Sequence, residues 1–219
     1  MKTRHVIFDC DGTLVDSETL SMRSDVTILA RCGLVISEEE AHRRFVGRTF
    51  NAMLDELAAE HGIAFPPGLN EVKNRMMEEL YPTELRAVPG LSETLALLRD
   101  RGLGMSVGSN SPSARIELAL KVTGIAPFFS HYSSPEHVAE GKPAPDIFLR
   151  CARLAGAQPA DCVVIEDSIT GVSAAMAAGI PVIGYVGTHP DKMEHGAVLK
   201  AHGAFTIIQH MSELPGQIA

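Results

Sequence analysis

Two carboxylates two positions apart, Asp9 and Asp11, directly follow the apolar run Val6-Ile7-Phe8 and lead into Gly12-Thr13. In a β-strand, residues i and i+2 share a face, so both acids converge at one strand mouth. Like charges held at the end of a buried strand repel, and each resists desolvation. A cation relieves both costs. A turn that simply closes a strand uses the same residue types, because Asp and Gly are common there. Cys10, between the acids, alternates to the opposite face and is expected to be an inert core thiol.

Three further polar groups end apolar runs or sit where the chain cannot be helical. Ser109-Asn110-Ser111 follows the run from Gly104 to Gly108, and Glu166-Asp167-Ser168 follows Cys162-Val163-Val164-Ile165. Lys142 precedes Pro143 and Pro145, which hold its backbone extended. Singly, each of these fits a helix cap, a turn or a solvated loop. Jointly they form a coherent chemical set: carboxylates are hard oxygen ligands for Mg²⁺, while a lysine, a hydroxyl and the amides that open a helix are donors for a phosphate.

The elements that must position these groups fall into two patterns. After the first strand, Ser17 is a candidate N-cap for a helix from Glu18 to Arg31 that Gly33 ends. Ser37-Glu38-Glu39-Glu40 opens a short helix that stops around Gly47; a third runs from about Thr49 to Glu60, and a fourth from Asn70 to Tyr81, beyond Pro66-Pro67-Gly68. Four helices with no strand between them read as an insertion. From Val88 onward strands and helices alternate: strands at Gly104 to Ser109, near Phe129 to Tyr132, and at Cys162 to Ile165, Pro181 to Val186 and Phe205 to Ile208; helices at Leu91 to Arg101, Ser113 to Thr123, Pro145 to Ala155 and from Ser168 to Ala178.

Alternation with strands apolar on both faces implies a mainly parallel sheet covered on both sides, a Rossmann-like three-layer α/β core. The expected division is a core of residues 1–15 and 87–219 with an all-helical cap of residues 16–86 inserted after the first strand. In an open parallel sheet, ligands bind beyond the carboxyl ends of the strands, which is where the polar groups cluster.

With 219 residues, the chain has room for one well-buried core and an insertion. Its 45% apolar and 21% charged residues are globular values that argue against disorder. A formal net charge of -8 disfavours nucleic acid or an anionic membrane as partner, since both need clustered Lys and Arg. Cys10, Cys32, Cys151 and Cys162 show no C-x-x-C spacing, as expected of reduced thiols in a cytoplasmic protein. No signal peptide is expected, and no run approaches the roughly 18 apolar residues of a membrane span.

Taken in order, the motifs resemble those of the haloacid dehalogenase superfamily of phosphohydrolases. Asp9, Asp11 and Thr13 match its first signature, Ser109 the second, Lys142 in Gly141-Lys142-Pro143 the third, and Glu166-Asp167 the fourth. The order and spacing are those of the subfamily whose helical cap follows the first motif. The resemblance implies a phosphoaspartyl mechanism: Asp9 as nucleophile, Asp11 as general acid and then base, and Ser109 and Lys142 holding the transferred phosphoryl group. It further implies Mg²⁺ held by Asp9, the Asp11 carbonyl and Asp167 with help from Glu166, and Asn110 contacting the phosphoryl group. Thr13 would support the Asp11 loop.

Substrate choice is expected in the cap, at Val46-Gly47-Arg48-Thr49, with Arg48 the candidate contact and Lys73 and Arg75 weaker ones. The implied activity is Mg²⁺-dependent hydrolysis of a small phosphorylated metabolite, a sugar or sugar-acid phosphate, by a cytoplasmic monomer or weak homodimer. A sugar phosphomutase of the beta-phosphoglucomutase type is the alternative. Such mutases carry a histidine ten positions after the acid/base, where this chain has Ser21, and that departure favours hydrolysis.

Overall fold

A computed structural model describes residues 3–45 and 48–218. The first strand, β1 (His5–Phe8), is buried at every position. After it the chain enters a helical unit, residues 17–85, and returns to complete a second unit made of residues 1–16 and 86–219. Exit and return lie side by side: Val15 bridges Ala87, and the Asp16 N–H donates to the Arg86 carbonyl at 3.0 Å.

The helical unit comprises α1 (Glu18–Arg31), α2 (Glu38–Phe45), α3 (Phe50–His61) and α4 (Leu69–Glu84). It has its own apolar core, with Ile28 and Leu29 of α1, Phe45 of α2, and Phe50, Met53 and Leu57 of α3. Ser37 Oγ accepts the Glu40 N–H, and three glutamates occupy the first turn of α2, where the helix dipole favours them. Ser17 stands at the expected N-cap position of α1, its carbonyl accepting the Ser21 N–H at 2.8 Å, but its backbone is already helical and its side chain makes no capping bond. α4 runs past Tyr81 with Pro82 inside its last turn, where the ring costs the helix one N–H donor.

The other unit continues with α5 (Leu91–Asp100), β2 (Gly104–Gly108), α6 (Ser113–Val122), β3 (Tyr132–Ser133), α7 (Asp146–Leu154), β4 (Cys162–Glu166), α8 (Ile169–Ala177), β5 (Val182–Tyr185), α9 (Lys192–Ala201), β6 (Thr206–Ile208) and α10 (Leu214–Gln217). The six strands form one parallel sheet in the order β3-β2-β1-β4-β5-β6. Every residue of β1 and β4 is buried, so both faces of the sheet centre are covered. Ile7, Phe148, Val164, Val172, Val182 and Leu199 belong to that core.

β1 sits between β2 and β4, with Phe8 paired to Val107 and Ile165. That register brings the loops after β1, β2 and β4 to one edge. α9 was not expected; Gly196 interrupts its pattern, although Asp191 caps it by accepting the Glu194 N–H at 2.9 Å. No described helix is long and apolar enough to cross a membrane.

Candidate active site

Asp9 continues β1 by one hydrogen bond, its N–H donating to the Ile165 carbonyl at 2.9 Å. Its carboxylate accepts from Lys142 Nζ at 2.5 Å, and the same ammonium donates to Glu166 Oε1 at 2.5 Å. All three groups are desolvated: Asp9 is 7%, Lys142 8% and Glu166 0% exposed. Glu166 is held from the other side by Ser168, whose N–H and Oγ donate to Oε2 at 2.8 and 2.9 Å. Its carboxylate fits because residue 171 is glycine; a Cβ there would stand 1.7 Å from Glu166 Oε1.

Lys142 is placed by its backbone. Asn110 Nδ2 donates to the Lys142 carbonyl at 3.0 Å, and the Lys142 N–H donates to Asn110 Oδ1 at 2.8 Å, so one side-chain amide clamps both faces of the residue. Gly141 admits that clamp, since a Cβ there would lie 2.7 Å from Asn110 Oδ1. The peptide between Lys142 and Pro143 is cis. Ser109 is buried, and its Oγ accepts the Ser111 N–H at 3.1 Å.

Asp11 is the more open of the two acids, 30% exposed at the side chain, and its Oδ2 accepts from Ser111 Oγ. Arg115 Nη2 stands 3.7 Å from the same oxygen. The Thr13 hydroxyl, expected to brace the Asp11 loop, donates to Asp167 Oδ1 at 3.1 Å and so ties that loop to the one after β4. Gly12, with φ +77°, leaves space for Asp167, whose Oδ2 would lie 2.1 Å from a Cβ at that position. Two groups after β5 brace these loops from outside: Thr188 Oγ1 donates to the Gly12 carbonyl at 2.8 Å, and His195 Nε2 to the Asp167 carbonyl at 2.6 Å.

Among the described residues, Asp9, Glu166 and Asp167 each place a carboxylate oxygen within 4.8 Å of the other two. Three acids around one lysine leave an excess of negative charge. Burial, reinforced by Glu166 and opposed by Lys142, pushes the Asp9 carboxyl up to about 7. Burial pulls the Lys142 ammonium down, but Asp9 and Glu166 outweigh it and hold its value above the ordinary lysine range. The set of hard oxygen donors with surplus negative charge fits a divalent cation such as Mg²⁺. The Cys10 thiol is buried, and desolvation together with Asp11 and Asp9 raises it well above the ordinary range.

Arg48 belongs to the helical unit, where it pairs with Glu56; Val46 and Gly47, the other half of the expected recognition loop, lie outside the described residues. Arg48 shares a cleft of about 50 Å³ with Asp25 and Lys73, and Lys73 Nζ is 2.6 Å from Asp25 Oδ1. Ser111, Arg115, Thr188 and His195 have no role assignable from sequence alone. Ser111, Thr188 and His195 have partners 28 to 176 positions away, and Arg115 meets Asp11 beside Ser111, so only Ser111, next to Ser109, carries a local signal.

Residues 6–185 match the family described as haloacid dehalogenase-like hydrolase. The 6-phosphogluconate phosphatase of Escherichia coli K12 is 29% identical over 212 residues, covering 96% of this chain and 92% of that protein. Hexitol phosphatase B of the same organism is 32% identical over 179 residues, 78% of each chain. The crystal structure of a HAD family hydrolase from Deinococcus radiodurans R1, with bound phosphate and sodium, superposes with a TM-score of 0.81 at 33% identity, over 98% of this chain and 94% of that one. By profile, relatives and fold alike, the chain belongs to the haloacid dehalogenase-like hydrolases.

Proposed function

We infer that the protein is a Mg²⁺-dependent phosphatase that hydrolyses a small sugar or sugar-acid phosphate through an aspartyl-phosphate. The observation that carries this reading is the buried Asp9–Lys142–Glu166 triplet beside Asp167. An ammonium between two buried carboxylates aims Asp9 and lowers the repulsion between an anionic nucleophile and an anionic substrate. Asp9 and Asp167, with the Asp11 carbonyl, would hold the metal. Glu166, whose two oxygens face Lys142 and Ser168, would act on it mainly through charge.

When bound, the cation supplies positive charge to phosphoryl oxygens and keeps Asp9 ionised against its burial. Asp9 attacks phosphorus, Asp11 gives its proton to the leaving oxygen, and Asp11 then takes a proton from the water that releases phosphate. Lys142 and Ser109 orient the phosphoryl group, and the Asn110 side chain serves by fixing Lys142. The substrate class follows the relatives named 6-phosphogluconate phosphatase and hexitol phosphatase B. Arg48 and the helical unit, as a cap, are assigned to recognising the rest of the substrate.

The test is a panel of sugar, hexitol and sugar-acid phosphates with Mg²⁺, assayed for both inorganic phosphate and isomerised product. Phosphate release that EDTA suppresses and Mg²⁺ restores is expected. Isomerised sugar phosphate without free phosphate would replace this reading with a phosphomutase.

A further inference from the structure

Arg115 stands in the first turn of α6, four residues after Ser111. A cation there opposes the helix dipole, whose amino end is partially positive, and α6 has no acidic residue in its first turn to offset it. The side chain is nonetheless mostly buried, 18% exposed. Its Nη2 donates to Ser111 Oγ at 2.6 Å and lies 3.7 Å from Asp11 Oδ2, and Ser111 Oγ donates to that same carboxylate oxygen. A guanidinium has donors only. The Ser111 oxygen therefore accepts from Arg115 and turns its own proton to Asp11, which fixes the direction of the relay.

We propose that Arg115, acting through Ser111, is a positioning residue for the two proton transfers of Asp11, a role that rests on the phosphatase reading above. In the first transfer the bond from Asp9 to phosphorus forms as the bond to the leaving oxygen breaks, and that oxygen takes the Asp11 proton. In the second, water gives a proton to Asp11 as its oxygen bonds phosphorus, and the Asp9 oxygen departs as carboxylate. Oδ2 remains a hydrogen-bond acceptor in both protonation states, so the relay holds the carboxyl plane through the whole cycle. In this scheme Arg115 and Ser111 act on the Asp11 carboxyl and take no part in bond making at phosphorus.

A positioning role for an acid predicts a dependence on the leaving group that a structural role does not. Full-length Arg115→Met and Ser111→Ala proteins would be compared with wild type on an alkyl sugar phosphate and on p-nitrophenyl phosphate, whose phenolate departs without a proton. With the alkyl ester, kcat should fall by about 10- to 100-fold while KM stays within about threefold. The first rapid release of p-nitrophenolate should stay within about threefold of wild type. Because the two residues act in series, the double variant should be no slower than the slower single.

A loss in the first rapid release of p-nitrophenolate equal to the loss in kcat on the alkyl ester, or a raised KM with unchanged kcat, would overturn the proposal. If Arg115→Met does not fold, by circular dichroism, Ser111→Ala carries the same comparison with a nearly isosteric change. Should wild type with Mg²⁺ release phosphate from neither ester, the phosphatase reading itself falls, and the proposal with it.

Discussion

Lys142 is the residue on which the site's electrostatics turn. Its ammonium faces two carboxylates that are otherwise out of reach of water, so the consequences of deleting each partner differ in kind. Lys142→Met leaves Asp9 and Glu166 buried without a counter-charge and is expected to cost about 3–5 kcal/mol of stability, measured by urea unfolding. Asp9→Asn leaves Lys142 and Glu166 as a one-to-one pair. It is expected to change stability by under about 2 kcal/mol while lowering phosphate release by at least about 10³-fold, the scale on which losing a nucleophile acts. Wild-type activity in Asp9→Asn would remove Asp9 from the mechanism. Asp9, Lys142 and Glu166 were legible in the sequence because each ends an apolar strand or stands beside prolines. Arg115 was not, because its meaning lies in Asp11, reached through Ser111 across 100 positions of chain.

At the scale of elements, α8 shows how a helix is fitted to the site rather than to its own stability. Gly171 lies in its first turns, where alanine would ordinarily gain about 1 kcal/mol. Here a Cβ would overlap the Glu166 carboxylate, which is pinned by Lys142 and Ser168 and has no solvent to move into. Gly171→Ala is therefore expected to lower the thermal midpoint instead of raising it, and to reduce kcat by displacing Glu166 from Lys142. A higher midpoint with full activity would show that the helix, not the carboxylate, sets that position. The apolar strands and the four helices of the insertion were readable from their own periods and breakers. β3 was misplaced by a few residues, since a two-residue strand has no period to read. α9 escaped because Gly196 weakens its pattern, although Asp191 followed three residues later by Glu194 is a helix-start signal that would have disclosed it.

For the molecule as a whole, burying titratable groups makes stability depend on pH, and two of them act in opposite senses. His5 opens β1 at 4% exposure; its Nε2 is 2.8 Å from Ser106 Oγ, and its ring stacks on His131 at 5.7 Å. Burial, with His131 adding to it, lowers its pKa to about 4. The contribution of neutral His5 is complete above the unfolded value of about 6.5 and is lost as pH falls toward 4, reaching about 2 kcal/mol by pH 5. Asp9 works the other way, because a carboxyl raised to about 7 in the folded state binds its proton more tightly there and gains stability as pH falls through that range. The pH profile of wild type alone therefore cannot isolate His5, but a difference between two proteins can. In His5→Phe/Ser106→Ala the titrating ring is gone, no hydroxyl is left without its partner, and Asp9 is common to both proteins. Between pH 7 and 5 the thermal midpoint of wild type should fall relative to the double variant by about 4–8 °C, at 2–4 °C per kcal/mol for a chain of this size. A difference that stays constant across that interval would show that His5 is no more costly to protonate in the folded protein than in the unfolded chain.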